Sequence, residues 1–155
     1  MRLEGKVAIV TGGGRGIGKA IALALAQEGA NLVLVSRTLP EVEETAAAVR
    51  GLGGRALALA ADVSCREHID AVITATQEEF GRVDVLVNNA GIYGPIGPLV
   101  DNDPERWLET IKINLFGVFL CMRAVLPSMM RQRYGKIINL SGGGATSARP
   151  YFTAY

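Results

Sequence analysis

Short apolar runs alternate along this chain with longer stretches whose apolar positions recur every three or four residues. The run KVAIVTG (Lys6 to Gly12) carries Val7, Ile9 and Val10 and reads as a buried strand. GIGKAIALALAQEGA follows with helical spacing and is closed by Gly29. NLVLVSR is a second strand. LPEVEETAAAVRGLGG is a second helix, with Pro40 in its first turn, acids early, Arg50 late and Gly51 after it. RALALAADV, to Val63, is expected to be the third strand, although its alanines also suit a helix. SCREHIDAVITATQEEFG is a helix in which Ser64 and Glu67 have the spacing of a capping box. VDVLVNNAG is the fourth strand. A loop with Gly94, Pro95, Gly97 and Pro98 leads into a long helical region, DPERWLETIKINLFGVFLCMRAVLPSMMRQRYG. Pro127 is expected to break that region. KIINLSGG is the fifth strand.

Strands that are apolar throughout and separated by helices imply a parallel sheet covered on both faces. Right-handed crossovers make it doubly wound. The fold class expected is therefore α/β, a doubly wound parallel sheet of the Rossmann kind. Such sheets bind ligands beyond the C-terminal ends of their strands, near the switch in strand order. The chemistry should stand just after each strand.

Composition narrows the function. The 155 residues suit one domain, and 49% apolar with 20% charged residues is the balance of a globular protein. A net charge of +1 offers no electrostatic case for nucleic acid or an anionic membrane. Apolar runs such as VAIV and DVLVNNAGI are too short to span a bilayer. Glu4 and Lys6 interrupt any signal-peptide core. Cys65 and Cys121 lack CxxC or His spacing and are expected to be reduced thiols in a cytoplasmic protein. His68, the single histidine, lies on a polar helix face, so neither a His-rich metal site nor a Ser-His-Asp triad is expected.

TGGGRGIG (Thr11 to Gly18) follows the first strand and opens a helix. Its spaced glycines are Gly12, Gly16 and Gly18, with Gly14, Arg15 and Ile17 between them. Glycine permits positive φ, close approach of backbone to a pyrophosphate, and tight packing of helix on strand. The helix start then presents unpaired N–H groups to phosphates. At the end of the second strand, where an acid would bond a ribose 2′-hydroxyl, stand Ser36 and Arg37. With Arg15 in the glycine loop, two guanidiniums suit a 2′-phosphate, so NADP(H) is expected in preference to NAD(H). A P-loop phosphotransferase is excluded because GGGRGIGK lacks the G-K-[ST] ending at the required spacing.

TGGGRGIG, ADV at 61–63, NNAG at 88–91, KIN at 112–114 and the terminal Tyr155 together resemble the short-chain dehydrogenase/reductase family, along essentially the whole chain. The resemblance implies that residues 1–155 are one NAD(P)-binding domain lacking its C-terminal strands and helices, in a longer enzyme that pairs through its long helices as a homodimer or homotetramer. It implies that Asp62 and Val63 border the adenine. Asn89, Ala90 and Gly91 would line the cofactor path, and Asn114 would hold a water of a proton relay. Hydride would pass between nicotinamide and the carbon of a small carbonyl or alcohol. Tyr155 would transfer the proton, and a lysine four residues later would lower its pKa from near ~10. On its own, the 1–155 stretch is expected to be inactive. The family's serine falls at position 142, which is Gly142 here. Ser141, rotated inward by a bulge, is the first candidate to replace it and Ser147 the second. Trp107, spaced helically from Ile111 and Asn114, is read as a packing residue. The alternative is a catalytically silent nucleotide-binding protein.

Overall fold

The structure is a computed structural model that describes all of residues 1–155. Five strands form one parallel sheet in the order β3-β2-β1-β4-β5. They are β1 (Val7–Thr11), β2 (Asn31–Ser36), β3 (Ala56–Ala60), β4 (Val85–Asn88) and β5 (Lys136–Asn139). Helices α1 (Gly16–Gln27), α2 (Leu39–Gly51) and α3 (Arg66–Phe80) follow the first three strands, and α4 (Pro104–Ile111) and α5 (Gly117–Gln132) lie between β4 and β5.

The two-residue alternation of a strand sorts its side chains into two layers. Val7 and Ile9 join Val33, Val35, Ile69, Val72, Leu120 and Val125 on the side covered by α3 and α5. Ala8 and Val10 join Leu32, Leu34, Ala22, Ala26, Val42 and Ala46 on the side covered by α1 and α2. The first helix meets the sheet mainly through alanines, so it packs close, as a glycine-rich entry requires.

Five expectations fail at element boundaries, two of them because β4 ends at Asn88 and β5 at Asn139, short of the NAG and LSGG expected to continue them. Strand β3 ends at Ala60 rather than Val63, because the chain turns where Asp62 Oδ1 accepts the Ser64 N–H at 2.9 Å and hydroxyl at 2.7 Å. The turn also delays the start of α3 to Arg66, one residue too late for Ser64 to be its N-cap, so the capping box does not form. Cys65 is the N-cap of α3, without a side-chain cap bond. Finally, the long helix is not broken at Pro127. The proline sits inside α5 on an exposed face, and it offers no N–H to the carbonyl of Arg123, four residues earlier and also exposed. The irregular turn falls instead at Lys112–Phe116, which winds as a π-helical segment between α4 and α5.

The resulting helix runs continuously over Pro104–Gln132, 29 residues with a window of mean hydropathy 1.6, long and apolar enough to cross a membrane. This corrects the reading that no segment has that length. Ile113, Leu120, Cys121, Val125 and Met129 pack one face of it on the sheet.

At the opposite end of the sheet from the glycine-rich loop, Asp84 is fully buried. It accepts the Val7 N–H at 3.0 Å and pairs with Arg82 at 2.6 Å and Lys6 at 3.6 Å. Burial pushes its carboxyl up, but the hydrogen bonds from Arg82 and Val7 and the two cations outweigh this and hold it below the usual carboxylate range.

Candidate functional site

Strand order reverses between β1 and β4, and a cleft of about 270 Å³ opens there at the C-terminal ends of the strands. Its floor is Gly12, Gly14 and Arg15. One wall is Val35 to Thr38 and the other Asn89 to Ile92, with Asp62 and Val63 beyond.

The glycine loop is held by specific contacts. Thr11 Oγ1 accepts the N–H groups of Asn89 and Ala90, each at 3.1 Å. Asn89 Nδ2 donates to the carbonyls of Thr11 at 2.9 Å and Gly12 at 3.1 Å. The NNAG stretch is thus bolted to the loop, β4 to β1. Gly12 has φ +64°, and a β-carbon there would stand 2.8 Å from Asn89 Nδ2. At Gly18 a β-carbon would overlap the Gly12 carbonyl oxygen. Both positions therefore need glycine, one for conformation and contact, the other for contact alone.

Gly16, at φ +54°, has open space where a β-carbon would stand. It begins α1, whose N-cap Arg15 makes no side-chain cap bond. The first-turn N–H groups are consequently left for a ligand, the arrangement that receives a pyrophosphate. Ile17 is exposed in that turn. The residues present therefore fit a dinucleotide.

Sequence reasoning missed three parts of this cleft. Thr45, buried on α2, donates its hydroxyl to the Gly14 carbonyl at 3.1 Å and braces the loop from outside. Glu41 lines the cleft with its carboxylate 3.9 Å from Arg15 Nε, and Glu109 lies 3.8 Å from Arg37 Nη1. Nothing in one-dimensional spacing marks these pairings, since each joins separate elements. Ser36 is committed locally: its hydroxyl donates to the Thr38 carbonyl and accepts the Thr38 N–H. Burial pushes the Asp62 carboxyl up, yet the Ser64 hydrogen bonds, with Arg37 and His68 nearby, hold it below its ordinary range.

Asn114 falls in the π-helical segment. Its amide bridges both backbone groups of Ile92, accepting the N–H at 2.9 Å and donating to the carbonyl at 2.8 Å. A β-carbon on Gly91 would sit 3.3 Å from Asn114 Oδ1. The widened turn brings this amide against the end of β4.

Tyr155 lies at a second cleft of about 310 Å³, shared with Ser141, Gly142, Arg149 and Phe152. Its ring packs edge-on against Tyr93 at 5.1 Å. Its hydroxyl end occupies the place of a Gly142 β-carbon, so a side chain at 142 would displace it. Ser141 is exposed, and its hydroxyl has only a long 3.5 Å contact to the Gly142 carbonyl. Ser147 does not line this cleft, and its hydroxyl donates to the Gly143 carbonyl at 3.1 Å. Trp107 Nε1 and Asn102 Nδ2 both donate to Thr153 Oγ1, at 3.2 and 2.8 Å, tying α4 and its preceding loop to the segment that carries Tyr155.

The profile described as short chain dehydrogenase matches residues 6–155. The 3-oxoacyl-[acyl-carrier-protein] reductase FabG of Thermotoga maritima is 39% identical over 155 residues, 100% of this chain and 63% of its own. Among solved structures, an NAD+-bound xylitol dehydrogenase superposes with a TM-score of 0.96 at 34% identity, over 100% of this chain and 60% of that one. A metagenomic short-chain oxidoreductase in complex with NADP superposes with a TM-score of 0.93 at 37% identity, over 99% of this chain and 71% of that one. The chain spans 50% to 63% of the length of the curated relatives it matches.

Proposed function

This chain belongs to the short-chain dehydrogenase family, and from that premise we propose that residues 1–155 are the NAD(P)-binding domain of a cytoplasmic oxidoreductase that interconverts a small carbonyl compound and its alcohol. The bound nicotinamide supplies or accepts the hydride. This chain's residues do the rest. Gly12 to Gly18 and the start of α1 cradle the pyrophosphate. Asp62 and Val63 flank the adenine, and Asn89 to Gly91 line the cofactor's path. Tyr155 passes a proton through its hydroxyl, Ser141 bonds the carbonyl oxygen, and Asn114 holds a relay water. The observation that carries the reading is the Tyr155 hydroxyl set against the bare backbone of Gly142, at a cleft next to a dinucleotide cradle.

NADP(H) is the preferred cofactor. Arg37 and Arg15 flank the cleft, and the carboxylates near them are too distant and exposed to compete strongly. Exposed pairs of this kind contribute about 0–1 kcal/mol, so a 2′-phosphate can displace them. One relative holds NAD+ and another NADP, and Glu41 inside the cleft favours the unphosphorylated ribose. NAD(H) is therefore the second reading for the cofactor.

A silent nucleotide-binding protein is the second reading for the chain, favoured by Gly142, which supplies no hydroxyl. Turnover separates the two. With reduced nicotinamide and a carbonyl panel, the full-length protein should consume cofactor. Tyr155→Phe should abolish that consumption while cofactor affinity stays the same, because the ring still packs and the proton carrier is gone. Ser141→Ala should lower kcat. A Tyr155→Phe protein that keeps most of its kcat refutes the assignment.

A further inference from the structure

The cleft beside Tyr155 has one charged wall group, Arg149. Within residues 1–155 no acid lines this cleft, and Arg149 enters no ion pair. Arg149 is exposed, and its guanidinium carbon lies 5.5 Å from the centroid of the Phe152 ring, within cation–π reach. Phe152 is fixed in turn against Tyr93, with centroids 5.8 Å apart, and Tyr155, with centroids 6.4 Å apart. Arg149 Nε and Nη2 lie 3.8 and 3.9 Å from the place of a Gly143 β-carbon, while the Tyr155 hydroxyl fills the place of a Gly142 β-carbon. These two glycines are consecutive, with Cα atoms about 3.8 Å apart. The proton carrier and an uncompensated cation thus face one small cleft, within reach of the two ends of one small molecule. A planar guanidinium with no carboxylate of its own is suited to bind a carboxylate or phosphate through paired, charge-assisted hydrogen bonds.

We propose that Arg149 anchors an oxyanion carried by the substrate, so that the carbonyl compound is a short keto acid or keto phosphate rather than a neutral ketone. The proposal rests on the oxidoreductase reading and adds the substrate's charge to it. Arg149 binds and orients; it carries no proton in the reaction.

The test uses the full-length protein with reduced nicotinamide and three matched carbonyl compounds: a short keto acid, its methyl ester and a keto phosphate of similar length. Wild type should favour an anionic compound over the ester by about tenfold or more in kcat/KM. Whether the acid or the phosphate leads identifies the group. Arg149→Gln should lower kcat/KM for the anionic compounds by about 10–100-fold, chiefly through KM, and leave the ester within about twofold. Arg149→Lys should recover part of the loss. Calorimetric titration with glutarate and with inorganic phosphate, neither of which can be reduced, reads the same site without turnover and should weaken in Arg149→Gln. Equal losses for ester and acid, or a wild type that prefers the ester, overturn the anion site while the oxidoreductase reading stands. Glutarate binding through Arg149 with no carbonyl turned over sinks the oxidoreductase reading and keeps the anion site.

Discussion

At the scale of single residues, much of the chemistry depends on what is missing from a side chain. Gly18 and Gly142 are both places where a β-carbon would collide, one with the Gly12 carbonyl and the other with the Tyr155 hydroxyl end. The first could be expected from a glycine motif. The second follows the 13-residue spacing by which the family resemblance sets position 142 beside Tyr155, although the loop's own pattern carries no sign of it. Arg37 was legible from the missing acid at the end of the second strand, whereas its neighbour Glu109 comes from a distant helix. Replacing Arg37 by Ala should weaken NADP(H) by about 1–3 kcal/mol, the scale of a charge-assisted bond, and barely change NAD(H). Fluorescence titration with both cofactors checks this; equal losses would place Arg37 away from the 2′-phosphate.

Among elements, the most consequential join is between β1 and β4. Thr11 and Asn89 fasten the C-terminal ends of these strands beneath the cofactor cleft, and Asp84 fastens their N-terminal ends. The Asp84 carboxyl has a lowered pKa in the folded state. A depressed carboxyl contributes stability that is fully present above its unfolded value, near ~3.9, and is lost as pH falls through the folded value. Urea midpoints should therefore hold steady through neutral pH and drop below about pH 4. Asp84→Asn should cost about 2 kcal/mol at neutral pH, below the roughly 3–5 kcal/mol of a broken buried pair because Arg82 and Lys6 are partly exposed and can turn to water. It should also flatten the acid limb. An unchanged acid limb in the variant would assign the acid sensitivity to other carboxylates. Thr45 works at the same scale, holding Gly14 from α2. Its residue type suggested nothing but a helix position.

For the molecule as a whole, the long helix leaves one face without a covering layer. Leu115, Phe119, Leu126 and Met130 recur at helical spacing and are all exposed, with Phe116 stacked on Phe119 at 5.9 Å. An exposed apolar stripe of this kind is a surface for association. A homodimer or homotetramer built through it is the assembly we propose. Phe119→Glu should shift the full-length protein towards monomer in light scattering, since a desolvated unpaired charge costs about 2–5 kcal/mol in an interface. Cofactor affinity should not change, because the cleft lies at the ends of the strands. An unaltered assembly would move the interface elsewhere.

The order of strands and helices, the two-faced burial of the central strands and the glycine-rich turn from β1 into α1 were determined by the sequence alone. Each depends on local periodicity or on short-range glycine geometry, which neighbouring residues set among themselves. The end of β3, the cap of α3, the uninterrupted passage through Pro127 and the π-helical turn at Asn114 were decided by tertiary structure. In each case a contact or solvent exposure outside the local pattern won. Asp62 accepted both donors of Ser64, Pro127 fell on the exposed face of α5, and Ile92 presented both of its backbone groups to Asn114. The cleft that joins Tyr155, Gly142 and Arg149 belongs to the same class. It exists because Phe152, Tyr93, Trp107 and Thr153 fold a polar, glycine-rich loop back on itself, and no periodicity in a loop reveals which of its side chains will meet.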